Sequence, residues 1–493
     1  MPVPFKKDPE EFAGRKLFAQ NVFDLLPQDD DCFIYEDIFS QLDTSALEEK
    51  YSMLGQHAYH PKLIVSILIY AYSQGVYSSR KIEQRCRKDL SFMYISHLNC
   101  PNFRVLSDFR KNNLSFFVDC FKVSIDMAKG LDMVSLGHVA LDGSKFFADT
   151  SKHKAASYSH LDANEKKLEH QIRELLKKAD DIDAEEDRIY HNGNGYSIPD
   201  DLKIKEKRLE KIKRVKRELE NREKKENPGK KIDPKKQISY ADTDARIMKK
   251  GKDFSYCYNA QISVDSKDQI IVGQHLSQNA NDKKELKRAV DDIEKNTDRL
   301  PEKISADSGY LSSENILTLK ENNIEGYIAT GKGEGDPEVK GKIGIKNFSY
   351  DKDKDIFTCP AGHMLKFKSE NKKRIYRSDG NICGGCAYLK CIARRKKAAV
   401  MHFDDKAIVL HSMAARMKSE SSKKIYAKRK VIVEPVFGQI KTAGFRRFSL
   451  RGHEKAGGEF SLVCAVLNFK KIVKKIKSNI SMAKNGIFEQ AVA

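Results

Sequence analysis

The sequence has no long hydrophobic run. Nowhere in its 493 residues is there a stretch near the roughly 18 to 20 uninterrupted apolar residues of a membrane span, and no apolar segment follows Met1 as in a secretion signal. A membrane role is therefore not expected, and a cytosolic chain is. Cysteine is sparse, with ten thiols spread over the whole length, which rules out a disulfide scaffold. Six stand alone and are expected to be buried thiols; Cys359, Cys383, Cys386 and Cys391 crowd one short region. Acid is short relative to base. Seventy Asp and Glu face 90 Lys and Arg, a formal charge of +20, so the natural partner is an extended polyanion and nucleic acid leads.

What is present suffices for two or three packed domains, because 40% of the residues are hydrophobic; the 32% that are charged must lie on solvated or partner-facing surface. In PKLIVSILIYAYSQGVYSSRKIEQRCRKDL, Pro61 opens an apolar helix, Gly75 ends it, and Ser78 or Ser79 caps a polar one. A further helix is expected from near Ser107 through the apolar stretch Leu114 to Met127. Residues 1–130 thus read as a helical domain with a helix-turn-helix suited to DNA.

At GHVALDG the pattern becomes β, with a strand expected to stop at Asp142-Gly143 before a second extended piece, KFFAD. Leu168, Ile172, Leu175, Ala179 and Ile182 form a heptad seam, and Leu202, Leu209, Ile212 and Leu219 a second, so residues 160–226 read as an antiparallel helical hairpin turning at HNGNGYSIPDD. Such a hairpin is more often a spacer or oligomer contact than a reader of sequence. YNAQISVD and IIVGQHLS are adjacent strands, a helix runs from Asp282 to about Asn296, and a strand ending at Asp307, a helix capped near Ser312 and the strand GYIAT follow. This is a mixed α/β order, with acids at strand ends where open sheets place catalysts.

Asp142 and Asp307 both follow short apolar strands. Such a pair serves to bridge divalent cations for in-line attack on a phosphodiester once a third ligand joins it. Residues 421–451, SSKKIYAKRKVIVEPVFGQIKTAGFRRFSLR, have helical spacing and hold Tyr426, Arg429, Glu434 and Lys441. This tetrad resembles the Y-R-E-K motif of DDE-type bacterial insertion-sequence transposases, and DGSK at Asp142 and ADSGY at Asp307 resemble that family's two catalytic aspartates. The resemblance runs from HPKLI at His60 to LNFKK at Asn468. It implies a ribonuclease H-like fold in which Asp142, Asp307 and Glu434 hold two Mg²⁺ ions, with Mn²⁺ as a substitute, while Tyr426, Arg429 and Lys441 bind DNA near the scissile phosphate. Arg429 precedes Glu434 by five positions where the family motif has four; Lys430 sits at the usual offset, and both remain candidates, with Arg429 preferred. Asp242 and Asp244 in SYADTDARIM resemble a further family segment, although turn formation explains them equally well.

TCPAGHML and CGGCAYLKC place four thiolates within one segment, enough for a closed structural Zn²⁺ site at Cys359, Cys383, Cys386 and Cys391, with His363 able to replace one cysteine. Nearby Arg394 and Arg395 suggest a small knuckle that touches DNA. The expected organisation is a helical domain at 1–130, catalytic-core segments at 136–160, 235–335 and 405–475, the inserted hairpin at 160–226, a Cys-rich insert at 336–400 and a tail at 476–493. The expected activity is cleavage and joining at terminal inverted repeats of double-stranded DNA by a homodimer near the bacterial nucleoid. A metal-dependent nuclease without joining activity, and a DNA-binding protein descended from a transposase, are the alternatives.

Overall fold

The computed structural model describes residues 22–51, 58–189, 200–330 and 342–492, apart from 345–346, 352, 371–372, 381, 396–397 and 404. The chain forms two compact units, 1–123 with 465–493, and 124–464.

In the first unit a 3-10 turn leads to α1 (Asp31–Ser40), α2 (Ser45–Glu48), α3 (Pro61–Ser73), α4 (Ser79–Lys88), α5 (Leu90–Ile95), α6 (Phe103–Asn112) and the start of α7 (Leu114–Gly130). Eleven of the thirteen residues of α3 are buried, so it is the central helix. Gly75, at φ 72°, lets the Val76 amide reach the Ala71 carbonyl at 2.8 Å and closes the helix end, as its sequence position implies. α4 buries only Ile82 and Cys86, leaving Arg80, Lys81, Arg85, Arg87 and Lys88 exposed. The helix expected to begin near Ser107 begins at Phe103 instead, because the Asn102 side chain caps the Arg104 and Val105 amides. It does not run on through Leu114: the Asn113 side chain turns back to the Phe109 carbonyl at 2.9 Å and α7 starts afresh. α5 was not anticipated; Asp89 ends α4 and caps the next short helix through the Phe92 amide.

The second unit continues with β1 (Val139–Phe147), β2 (Ala155–Ser157), α8 (Tyr158–Ile189), α9 (Asp200–Glu226), β3 (Gln237–Ser239), β4 (Arg246–Lys250), β5 (Asp253–Asp265), β6 (Ile271–Ser277), α10 (Leu286–Thr297), β7 (Lys303–Ala306), α11 (Ser313–Glu321) and β8 (Glu325–Ile328). Its main sheet is ordered β4-β5-β1-β7-β8, with β6 also on β5. β1 is antiparallel to β5, whereas β1, β7 and β8 run parallel. This is the expected mixed α/β layer. Two expectations are corrected. β1 does not stop at Asp142-Gly143, because β5 holds it in register through Phe147↔Cys257. α10 begins at Leu286, four residues after Asp282, whose carboxylate instead accepts from Asn259 and Gln261.

The hairpin arms α8 and α9 meet as the heptads imply: Leu168, Ile212 and Leu219 join Leu161, Val215 and Ile238 in one cluster. The short pair β2–β3 ties the root of the hairpin together. Its turn at 190–199 and the side chains of Ala179 and Ile182 lie outside the described residues. The Cys-rich insert comprises β9 (Lys342–Ile343), β10 (Ser349–Asp351), β11 (Ile356–Thr358), β12 (Met364–Glu370), β13 (Arg374–Ser378), β14 (Lys390–Cys391) and β15 (Val400–Phe403). Five of these form a sheet, β10-β11-β12-β13-β15, over a core of Ile343, Phe348, Phe357, Leu365, Tyr376 and Met401. It is therefore a small sheet with its own apolar core.

The chain then forms α12 (Asp405–Arg416), α13 (Glu420–Ile432), α14 (Glu434–Thr442) and α15 (His453–Val492). Residues 421–451 are thus not one helix; Val433 separates α13 from α14. α15 runs through the segment expected to be a tail. Phe437, Phe445, Phe448 and Phe460 surround Phe146 at 5.6–6.2 Å between ring centroids. Burying that ring stabilises the seam between β1 and the C-terminal helices by about 2–3 kcal/mol. Among the described residues no helix is long and apolar enough to cross a membrane.

Candidate active site

β1 enters the site through Val139, Ala140 and Leu141, all buried. Its parallel register on β7 pairs Ala140 with Ser305, so two further steps bring Asp142 level with Asp307, the residue just after β7. Asp307 also caps the following turn, accepting from the Gly309 amide at 2.8 Å. Glu434 opens α14 with its side chain about half exposed (52%), and buried Arg429 of α13 connects it to the sheet. One guanidinium nitrogen of Arg429 donates to Asp142 Oδ1 at 2.9 Å and another lies 3.6 Å from Glu434 Oε1.

Arg429 points at Asp142, while Lys430 is exposed. The extra residue between Arg429 and Glu434 is taken up where the helix breaks at Val433. Lys441 donates to Ser144 Oγ at 2.7 Å and lies above the Phe146 and Phe437 rings. Burial lowers its pKa and Asp142 opposes that shift. Tyr426 is pushed up by burial, against the pull of Arg429, with Asp307, Asp142 and Glu434 adding to the rise. Arg429 and Lys441 thus both reach β1, at Asp142 and at Ser144, and Arg429 also approaches Glu434.

Asp142 carries the strain of this arrangement. Burial, more than any neighbour, raises its carboxyl to about 6; Arg429 and the Gly143 amide pull it down, while Asp307 and Asp282 push it further up. Asp282 is the acid that sequence reasoning missed. Its Oδ1 accepts from Asn259 Nδ2 and Gln261 Nε2, both at 2.7 Å, and the Tyr310 hydroxyl donates to Gln261 Oε1. A Cβ at Gly143 would meet Asp282 Oδ1 at 2.7 Å, and one at Gly309 would meet Asp307 Oδ1 at 2.9 Å and Asp282 Oδ2 at 3.1 Å. The glycines beside the two aspartates in DGS and DSGY were the available signal: each leaves room for carboxylates to gather.

Among the described residues no three His, Cys, Asp or Glu side chains stand close enough to hold a metal ion; at this centre Arg429 supplies the positive charge between Asp142 and Glu434. The oxygen donors nevertheless suit a hard divalent cation, and Gly143 and Gly309 let Asp282 and Asp307 approach closely beside them. In the insert, Cys359, Cys383, Cys386 and Cys391 line one cavity of about 20 Å³ together with His363. Cys391 is raised chiefly by burial, with Cys383 and Cys359 adding to the shift. Arg394 and Arg395 donate to the Cys386 and Ile392 carbonyls, which secures this loop. Of the six scattered cysteines, all but Cys100 are buried. Asp242 and Asp244 have structural partners: Asp242 accepts from Tyr258 and Gly452, and Asp244 from the His453 amide.

Residues 358–473 match the family model described as a transposase DDE domain, and residues 20–112 match the transposase domain DUF772. The first span contains the Cys-rich segment, Tyr426, Arg429, Glu434 and Lys441; Asp142 and Asp307 lie outside both. No curated protein and no solved structure matches the chain. Over these two spans, the N-terminal helices and the segment that supplies Glu434, the chain is similar to transposase domains, which is consistent with a DDE-type insertion-sequence transposase.

Proposed function

We propose that the protein is a DNA transposase that cleaves and joins strands at the terminal inverted repeats of an insertion sequence, working on a ribonuclease H-like catalytic domain. The observation that carries this reading is that Arg429 reaches both Asp142 and Glu434, which come from distant segments, while the parallel register of β1 on β7 sets Asp307 level with Asp142. Asp142, Asp307 and Glu434 would hold two Mg²⁺ or Mn²⁺ ions, which when bound activate water or a 3′-hydroxyl and stabilise the leaving oxygen. Lys441 offers a point charge to a backbone phosphate, with Tyr426 beside it, and Arg429 would turn its fork to a phosphate as metal ions take over Asp142 and Glu434. Glu434, the most exposed of the three acids, lies on the side open to DNA. Two element ends must be brought together, so a homodimer on double-stranded DNA is the working form.

In the insert, Cys359, Cys383, Cys386 and Cys391 are the proposed ligands of a structural Zn²⁺, supported by the one cavity they share. Asp142→Asn, Asp307→Asn and Glu434→Gln are each expected to reduce Mg²⁺-dependent cleavage of end-containing DNA by at least about a thousandfold. Mobility-shift affinity at fixed salt should stay near wild type, because the basic surface is untouched. Binding without any cleavage by the wild type, in Mg²⁺ or Mn²⁺, would establish the DNA-binding descendant instead. Cleavage without transfer of the 3′-hydroxyl to a target would establish the nuclease.

A further inference from the structure

The end of β5 remote from Asn259 and Gln261 opens on a cleft of about 690 Å³, walled by the last turns of α9, by β4 and by the chain leading into β3. Lys152, Arg222, Lys235, Lys236 and Arg246 line it, with Glu223 and Glu226 as the acids of its wall. Glu223 is occupied by Lys236, whose Nζ is 3.2 Å from Oε1. Arg246 donates to the Thr243 and Asp244 carbonyls, and among the described residues no carboxylate lies at ion-pair distance from it. Burial lowers its pKa, and the neighbouring Arg222 lowers it further. Five cations from four separate segments thus converge on two acids, Glu223, which Arg222 and Lys236 share, and Glu226, which acts on Arg246, so a positive excess remains.

Tyr256 supplies an independent observation. It lines the same cleft and is 3% exposed, yet its buried hydroxyl has no hydrogen-bond partner among the described residues. Burying a hydroxyl unpaired costs about 1–3 kcal/mol, a cost relieved by a ligand that accepts a hydrogen bond from it. At the rim Phe254 and Ile247 are exposed, so the ligand presents apolar surface next to its negative charge. A sugar-phosphate backbone has both properties.

We propose that this cleft binds a backbone phosphate of the DNA substrate outside the catalytic centre, with Tyr256, Arg222 and Arg246 as its donors and Lys235 and Lys236 at its mouth. The proposal rests on the transposase reading. It also fixes a distance. Asp142 is paired with Ile262, and Tyr256 lies six residues further along β5, about 20 Å at ~3.3 Å per residue. DNA lying along the strand covers that length in about six nucleotides at ~3.4 Å each. The cleft therefore grips the substrate some six nucleotides from the bond being cut.

The test measures fluorescence anisotropy of the full chain on a duplex that carries the element end and extends about ten base pairs to either side of the cut. Tyr256→Phe is expected to weaken binding about threefold to tenfold while leaving the melting temperature equal or higher, since only an unpaired hydroxyl is removed. Lys235→Ala and Lys236→Ala should each reduce the slope of log affinity against log salt by up to about 0.9. On duplexes shortened to about three base pairs beyond the cut, on whichever side reaches the cleft, variants and wild type should bind and be cleaved alike. Unchanged affinity and salt slope in these variants, or a loss as large on shortened DNA, overturns the proposal. So does intact DNA affinity with an altered sedimentation coefficient, which assigns the cleft to a protein partner. If the wild type fails to bind DNA at all, it is the transposase reading that fails, so the two failures are distinguishable.

Discussion

The two proposed metal centres are built in opposite ways. The acidic centre gathers charged oxygen donors from β1, the end of β7 and the start of α14, segments far apart in sequence, and leaves Asp142 strained by burial and by its neighbours. The cysteine centre gathers sulfur donors from residues 359–391, beside a sheet with its own apolar core. In the first, electrostatic crowding is concentrated where reactive phosphate and cations are to be received. In the second, the four thiols line one small cavity contributed by a single stretch of chain. The difference teaches that the first centre depends on long-range tertiary structure for its geometry and on Arg429 for its charge balance, whereas the second depends on neither.

The sharpest way to break this contrast is Arg429→Ala. Removing a buried guanidinium that holds Asp142 and approaches Glu434 is expected to cost about 3 kcal/mol or more in urea melts at pH 8, and cleavage should fall by about a hundredfold or more. Arg429→Lys should restore part of both. The stability loss should shrink at pH 5, where Asp142, raised to about 6, has taken up a proton and no longer needs its counter-charge. An equal loss at both pH values would show that Arg429 acts through packing.

His138 gives a second, smaller test of the acidic centre's scaffold. It is buried beside the β1–β7 seam, its Nε2 2.9 Å from Ser305 Oγ, and burial more than the neighbouring Lys428 and Lys303 lowers its pKa to about 4. The folded state favours neutral imidazole, so its contribution is intact above the unfolded value near 6.5 and is lost as pH falls through about 4. Wild-type stability should drop by up to about 3 kcal/mol across that window from this group, and His138→Asn should flatten that part of the profile. A profile unchanged by the substitution would mean that His138 is charged in the fold.

The smallest global effect is expected in the insert. Purified protein should contain one zinc per chain, and Cys383→Ser should lose it. The main unfolding transition should stay in place while limited proteolysis within 379–398 accelerates, because the core around Phe357 and Tyr376 persists. Absence of zinc with all four thiols freely modifiable would reduce this centre to buried cysteines. Collapse of the whole fold would show that the insert is not locally stabilised.

Much of this was legible in the sequence because local patterns suffice for it. Pro61 and Gly75 bound a helix by backbone chemistry alone, the heptads place Leu168 against Ile212 and Leu219, and the four cysteines announce their own cluster. Boundaries failed where a side chain or a neighbouring strand competes with propensity: Asn102 and Asn113 move the ends of α6, and β5 carries β1 past Asp142-Gly143. Asp282 was not legible, because its role comes from Asn259 and Gln261 reaching it across a glycine.

The sequence by itself determined which chemistry is available: the three acids in order, the basic excess, and the thiols in one segment are properties of composition and spacing. Only the tertiary structure decided which groups meet. Arg429 rather than Lys430 faces Asp142 because the fold buries that side of α13 against β1, although Pro435 makes the helix break before α14 a local matter. Asp142 stands level with Asp307 through a parallel register that no local pattern encodes. Tyr256 acquires an unpaired hydroxyl in a basic cleft only when the hairpin root folds against β4 and β5. Pairing between segments that are distant in sequence depends on burial and register, and neither is a property of any one stretch of chain.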